Sequence, residues 1–349
     1  MEKQVIIFAN GAEKGRVEEI ANLSPMSSVL IVDDSNRGFS LPEGAQTTNS
    51  QDFFGTRIAE LESTRCAAIV IDAAWDIEIA SLGPVLEEAS RSDENTVTIF
   101  PLSHGEEIQF SQDLTIDTAI NLCHPQQAWP VGTAAICSST FESIKEPENC
   151  SQFIGQAILA ALSIGCSLRL GANTLVLKKS SEWKGTLSQR DLSALLKYAV
   201  GTLNIEELFP NHSWQTHQEE SAAACYHTLA AMFLKFNDLE AAKECLSFGD
   251  QLEDSPRSLA LKGLIALTEG ETLTAVANMV SSLQEYEKRK KSTSQHYLAF
   301  QPRDLEQINT SLQSGLSALN ERDNDLAMKH FTSAVFNFDQ FYLDIGLSQ

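Results

Sequence analysis

The chain has 349 residues, with 25 Lys+Arg against 47 Asp+Glu for a formal net charge of −22, and 43% of it is hydrophobic. That is too apolar for a disordered chain and long enough for about two domains. The acidity argues against nucleic acid or an anionic membrane as the main partner, since both attract basic patches.

The opening segment MEKQVIIFANG holds too short an apolar stretch for a signal peptide. The longest nearly apolar run, Ala157 to Leu168, is about half of what spans a bilayer. The seven cysteines are odd in number, and no two are spaced like a zinc knuckle or a disulfide framework. The expectation is a cytoplasmic protein with reduced thiols and no membrane span.

In chain order, Gln4 to Ala9 (QVIIFA) predicts a buried strand and Val17 to Leu23 a helix. Ser28 to Val32 (SVLIV) predicts a second strand ending at Asp33 and Asp34. Phe53 to Glu62 predicts a helix, and Ala67 to Ile71 (AAIVI) a third strand ending at Asp72. A helix over Ile79 to Ser90 and a strand over Thr96 to Phe100 follow. Continuous Val/Ile runs separated by helices predict a parallel sheet covered on both faces. In such sheets ligands sit beyond the carboxyl ends of the strands, where these aspartates fall. Thr133 to Ser138 predicts another strand, Gln152 to Gly165 a helix stopped by its glycine, and Ser167 to Leu177 extended chain. The polar KKSSEWKGTL at 178–187 marks a boundary, and Ser188 with Asp191 starts a further helix. The predicted organisation is an α/β domain over 1–180, a helical linker over 181–215 and an all-α domain over 216–345.

The last domain repeats itself. Ala230 is followed twelve residues later by Ala242, Gly263 by Ala275, and Gly315 by Ala327. The first two windows lie 33 apart and the third 52 beyond. Phe331 and Ala334 complete the third window. The polar breaks at Asn237-Asp238, Glu269-Gly270-Glu271 and Asp323-Asn324-Asp325 fall where tight turns are needed. This pattern resembles the tetratricopeptide repeat, about three copies, in which stacked helix pairs bury a face that no pair buries alone. The resemblance implies protein–protein interaction. Pro256 answers only approximately to the family's proline.

The order VLIVDDS at 29–35 and AAIVIDAAWD at 67–76 resembles the family 2 glycosyltransferases of GT-A (Rossmann-like) fold, extending to about residue 178 through GTAAICSSTFESI and SQFIGQAILAALSIGCSLRL. The resemblance implies a nucleotide-diphosphate sugar held at the nucleoside by Asp33 and Asp34. It implies Mg²⁺ or Mn²⁺ held by Asp72, with Asp76 in place of the family's second metal aspartate, where this chain has Ala74. A diphosphate leaving group needs such an ion to neutralise its charge. The family's catalytic Glu-Asp pair aligns with Phe153-Ile154; Glu146 and Glu148 are the nearest carboxylates. The catalytic residues are therefore unassigned. Two functions follow: a sugar transferase whose repeats recruit a protein acceptor or partner, or a non-enzymatic scaffold with a pseudo-glycosyltransferase domain.

Weaker signals remain. Gly11 and Gly15, with Asp33 about twenty residues on, resemble a dinucleotide loop but lack its Gly-x-Gly-x-x-Gly spacing. His212 and His217 flank Trp214 in the linker. Lys288-Arg289-Lys290-Lys291 is the one basic run, fit either for a solvated helix end or for an acidic partner.

Overall fold

The computed structural model describes residues 3–24, 28–64, 67–93, 95–104, 107–108, 133–178, 188–209, 218–253, 255–291 and 305–334. His212, His217 and the linker stretches 181–187 and 210–215 lie outside them. Two compact units emerge, Met1–Leu203 and Asn204–Gln349.

The first unit is built on β1 (Lys3–Phe8), β2 (Val29–Val32), β3 (Gln46–Thr48), β4 (Ala67–Asp72), β5 (Thr96–Ile99), β6 (Leu102–His104), β7 (Glu107–Ile108), β8 (Thr133–Ile136), β9 (Ser167–Leu170) and β10 (Leu175–Val176). Seven of these form one sheet in the order β3-β2-β1-β4-β8-β5-β9, and β10-β6-β7 form a small second sheet. The large sheet is parallel except for β8, which runs antiparallel to both β4 and β5. The sheet is therefore mostly parallel, as expected.

Alternation sorts the two faces. Val5, Ile7, Val29, Ile31, Ile69 and Ile71 point into one core with α1 (Lys14–Leu23) and α3 (Ile79–Ser90). Phe8 points to the other face and meets Phe53 and Phe153. Those rings come from α2 (50–63) and α4 (Cys150–Ser163). Within α2 the stretch Phe53–Arg57 is π-helical, which turns Phe53 and Phe54 together onto Phe8. Lys3 Nζ caps the carboxyl end of α3, donating to the carbonyls of Ala89, Ser90 and Ser92 at 3.1, 2.8 and 2.7 Å.

The first unit extends beyond residue 180, because α5 (Gln189–Thr202) packs on α4. Gly155 permits this contact: a Cβ there would lie 2.5 Å from Leu195. Gln152 Nε2 donates to Asp191 at 2.9 Å, and Tyr198 Oη to the Ser143 carbonyl at 2.8 Å.

The second unit is helical: α6 (Ile205–Leu208), α7 (Gln218–Lys235), α8 (Leu239–Leu252), α9 (Pro256–Thr268), α10 (Thr272–Lys291), α11 (Leu305–Asn320) and α12 (324–334). Three helix hairpins turn in the same way. Asn237, Gly270 and Arg322 each adopt positive φ, at 59°, 81° and 64°. After each, the next amide donates back five residues: Asp238 to Phe233, Glu271 to Ala266 and Asp323 to Ala318, at 2.9, 2.8 and 2.9 Å. This is the Schellman closure of a helix end. The three turns are 33 and then 52 residues apart, the spacing of the small-residue windows. Those small residues sit where helices meet. A Cβ at Gly263 would lie 2.8 Å from Met279, and one at Gly315 would lie 2.3 Å from Phe331; Ala230, Ala242, Ala275 and Ala327 are fully buried.

Candidate functional site

Strand register brings the predicted aspartates to one edge of the sheet. Phe8, at the end of β1, is level with Val32 on one side and Asp72 on the other. Asp33 and Asp72 thus leave strands that flank β1, about 9.5 Å apart at two strand spacings. The β1–α1 loop passes nearby. Gly11 takes φ +80° there, and a Cβ on it would stand 3.9 Å from Ala74.

Asp33 is buried and faces its own chain. Arg37 forks onto it, with Nη2 at 2.7 Å and Nε at 3.2 Å from Oδ1, and the Arg37 amide donates to Oδ2 at 3.0 Å. The same guanidinium donates to the carbonyls of Ala9 and Ala12 at 2.7 and 2.5 Å. Burial works to raise the Asp33 carboxyl, but the Arg37 hydrogen bonds and charge outweigh it, leaving the carboxyl below its ordinary range. Asp34 accepts from the Ser50 amide and hydroxyl, both at 2.7 Å, and from Asn10 Nδ2 at 2.6 Å. It too is held below its ordinary range, because those donors offset burial.

Beside them lies a hollow of about 700 Å³, lined by Asp33, Asp34, Arg37, Phe39, Thr48 and Asp52 among others. Arg37 lies 5.4 Å over the Phe39 ring. Asp72 and Asp76 are not among the lining residues.

Asp76 is occupied by cations of the chain itself. Arg16 Nη1 lies 2.6 Å and Lys178 Nζ 3.2 Å from its Oδ1. It precedes α3 without capping it; Glu78 is the N-cap. Burial favours a higher Asp76 pKa, but Lys178 and Arg16 hold it low. Asp72 is only partly accessible, and its apolar surroundings push the carboxyl up to about 6, against hydrogen bonds from the Ala74 amide and Trp75. The donor set does not fit a divalent ion. An oxygen-bound Mg²⁺ or Mn²⁺ wants free carboxylates, and here Asp76 is already paired with Arg16 and Lys178 while Asp72 is only partly accessible. Among the described residues no group of three or more His, Cys, Asp or Glu could hold a metal.

The position aligned with the catalytic pair is filled by hydrocarbon. Phe153 and Ile154 are fully buried. Phe153 lies 6.0 Å from Phe8, 5.6 Å from Phe53, 6.0 Å from Phe54 and 6.4 Å from Phe141, measured between ring centroids. Glu148 is half-exposed and pairs with Arg190 at 2.7 Å; Glu146 is exposed. Arg37, Arg16 and Lys178 are the residues that reading along the sequence missed. Their partners lie 4, 60 and 102 residues away, and no local pattern announces the two distant ones.

Compared with the patterns of known protein families, the chain matches none, and comparison with curated proteins gives no match. No helix among the described residues is long and apolar enough to cross a membrane.

Proposed function

We propose that this chain is a non-enzymatic interaction scaffold, in which a tetratricopeptide-type array is joined to a GT-A-like domain that no longer transfers sugar. The observation that carries the proposal is Phe153, a buried ring in a five-phenylalanine cluster at the position where the resemblance calls for a general base. Without a base to deprotonate the acceptor, an inverting transfer loses roughly 10²–10⁴ in rate. The cations on Asp76 point the same way, since they supersede a metal. The three equivalent hairpin turns support the repeat reading, and a protein partner is the natural ligand of such an array.

A second reading keeps donor binding without turnover. It rests on the polar hollow beside Asp33 and Asp34. Thermal melts with UDP-, GDP- and dTDP-sugars separate the two, since a ligand bound to the folded state raises the midpoint. The scaffold predicts no shift with any of them. A shift that disappears in Asp34→Ala would replace it with the donor-binding reading.

A further inference from the structure

The helical unit carries a buried histidine at the joint between its first two hairpins. His227 on α7 is 1% exposed, and three helices meet at its ring. Its Nε2 is 3.3 Å from Oδ1 of Asp250 on α8, and its Nδ1 is 3.4 Å from Oγ of Ser255, the N-cap of α9. Ser255 Oγ also accepts the Ser258 amide at 3.0 Å, and the Ser258 hydroxyl donates to Asp250. Gly249 on α8 makes room for the ring, since a Cβ there would lie 2.6 Å from it. Asp250 also lines a hollow of about 460 Å³ between α8 and α9, with Lys243, Leu246, Lys262 and Ile265.

These partners suit a neutral ring. A carboxylate only accepts, so Nε2 carries the hydrogen and Nδ1 accepts from the Ser255 hydroxyl. A second proton on Nδ1 would face that hydroxyl hydrogen and turn it away. It would also add a charge that nothing offsets. Around the ring stand Asp250 on α8, Glu253 just past its end, and Arg257 and Lys262 on α9, two of each sign. Lys262 already holds Asp250, with Nζ 2.8 Å from Oδ2. Beside His227 on α7, Cys225 and Tyr226 stay neutral, because burial raises both. On α6, which also packs on α7, Glu206 is exposed and Glu207 is bound to its own N-cap, Asn204. Burial, aided by Arg257, holds the His227 pKa below 6.5 against the pull of Asp250 and Glu253.

We propose that His227 is a pH-sensitive latch: the neutral ring holds the second hairpin on the first, and uptake of a proton at Nδ1 releases α9 from α7 and α8. Its use, regulating what the helical array binds, rests on the scaffold reading; the latch itself does not. In the released joint the ring is in water and titrates near 6.5. Above that pH the joint stays closed. Below it the released fraction grows by up to about tenfold per pH unit, because one proton is taken up on opening, until the ring titrates in the closed joint as well.

The test is hydrogen exchange of the full chain across this pH range, read as protection factors, which remove the intrinsic pH dependence of exchange. Amides 259–265 of α9 and 228–231 of α7 should lose up to about tenfold in protection per pH unit below 6.5. Amides 312–318 of α11 should keep theirs. His227→Gln, which can still donate to Asp250 but takes up no proton, should show no such loss. Unchanged protection in the wild type would overturn the inference, as would the same loss in His227→Gln. So would an equal loss in α11, which marks general acid unfolding. If the variant does not fold, the ring titration of wild-type His227 by nuclear magnetic resonance decides: a pKa below 6.5 supports the latch, and one at or above it overturns it.

Discussion

Removing the Arg37 guanidinium, as in Arg37→Met, should strand a buried carboxylate. The Asp33 side chain is 3% exposed and that of Arg37 26%. Breaking a buried pair from one side costs about 3–5 kcal/mol; with Arg37 a quarter exposed, the lower end, about 3 kcal/mol, is expected. The carbonyls of Ala9 and Ala12 lose the guanidinium as a donor as well, although Ala9 keeps the Ala12 amide. For a unit of this size that corresponds to a drop of roughly 6–12 °C in melting midpoint. The sign with pH is diagnostic. In the wild type the folded Asp33 pKa is depressed, so its contribution is present above the unfolded value of 3.8 and is lost as pH falls through the folded value. In Arg37→Met burial is opposed only by the amides of residues 35 and 37, so the folded pKa rises from its wild-type position and less of that contribution is left to lose. The gap between the two proteins should therefore narrow on acidification. Asp33→Asn added to Arg37→Met should recover part of the loss at pH 7. Calorimetry, with hydrogen exchange of the β1 and β2 amides to locate the transition, reads all three. A loss below about 1 kcal/mol, or a double variant no more stable than Arg37→Met, would refute the reasoning.

Other perturbations probe the remaining packing. Phe153→Ala should cost about 3–5 kcal/mol in chemical denaturation, because it opens the aromatic cluster. Gly315→Ala should destabilise the helical unit by about 1–2 kcal/mol, since the new methyl meets the buried Phe331 ring. Gly201→Ala, exposed and with open space around it, should stabilise by about 0.5–1 kcal/mol in the same melts. His227 is buried between α7 and α8, 3.3 Å from Asp250, and burial holds its pKa below 6.5 despite that partner. Its contribution is present above pH 6.5 and lost as pH falls below it, so His227→Gln should flatten the acid limb of the helical unit's stability curve.

Much of the fold was legible because burial writes itself into local pattern. The Val/Ile runs of β1, β2, β4 and β5 lie within a residue or two of their predicted limits, and α3 matches at both ends. The repeat was legible because the same turn recurs at the spacing of the small residues. The β3 strand was not: Gln46–Thr48 is a polar edge strand with no hydrophobic signature. The direction of β8 was hidden too, since TAAI reads alike in either sense. At the site, the ends of β2 and β4 put Asp33 and Asp72 at the carboxyl edge, but the hollow there is lined by Asp33 and Asp34 and not by Asp72 or Asp76. What neutralises Asp76 was not visible, because Arg16 and Lys178 reach it from distant points of the chain. Pattern along a sequence records periodicity and caps; it does not record which cation folds onto which carboxylate.

The central claim of the proposal is that the carboxyl edge of the sheet does not grip a metal-bound sugar nucleotide. Electron paramagnetic resonance of free Mn²⁺ in the presence of UDP tests it directly, because thiol sites take Mn²⁺ weakly and do not interfere. Adding the protein should leave the free Mn²⁺ signal unchanged. A signal that falls on adding wild-type protein and is restored by Asp72→Ala would contradict the account.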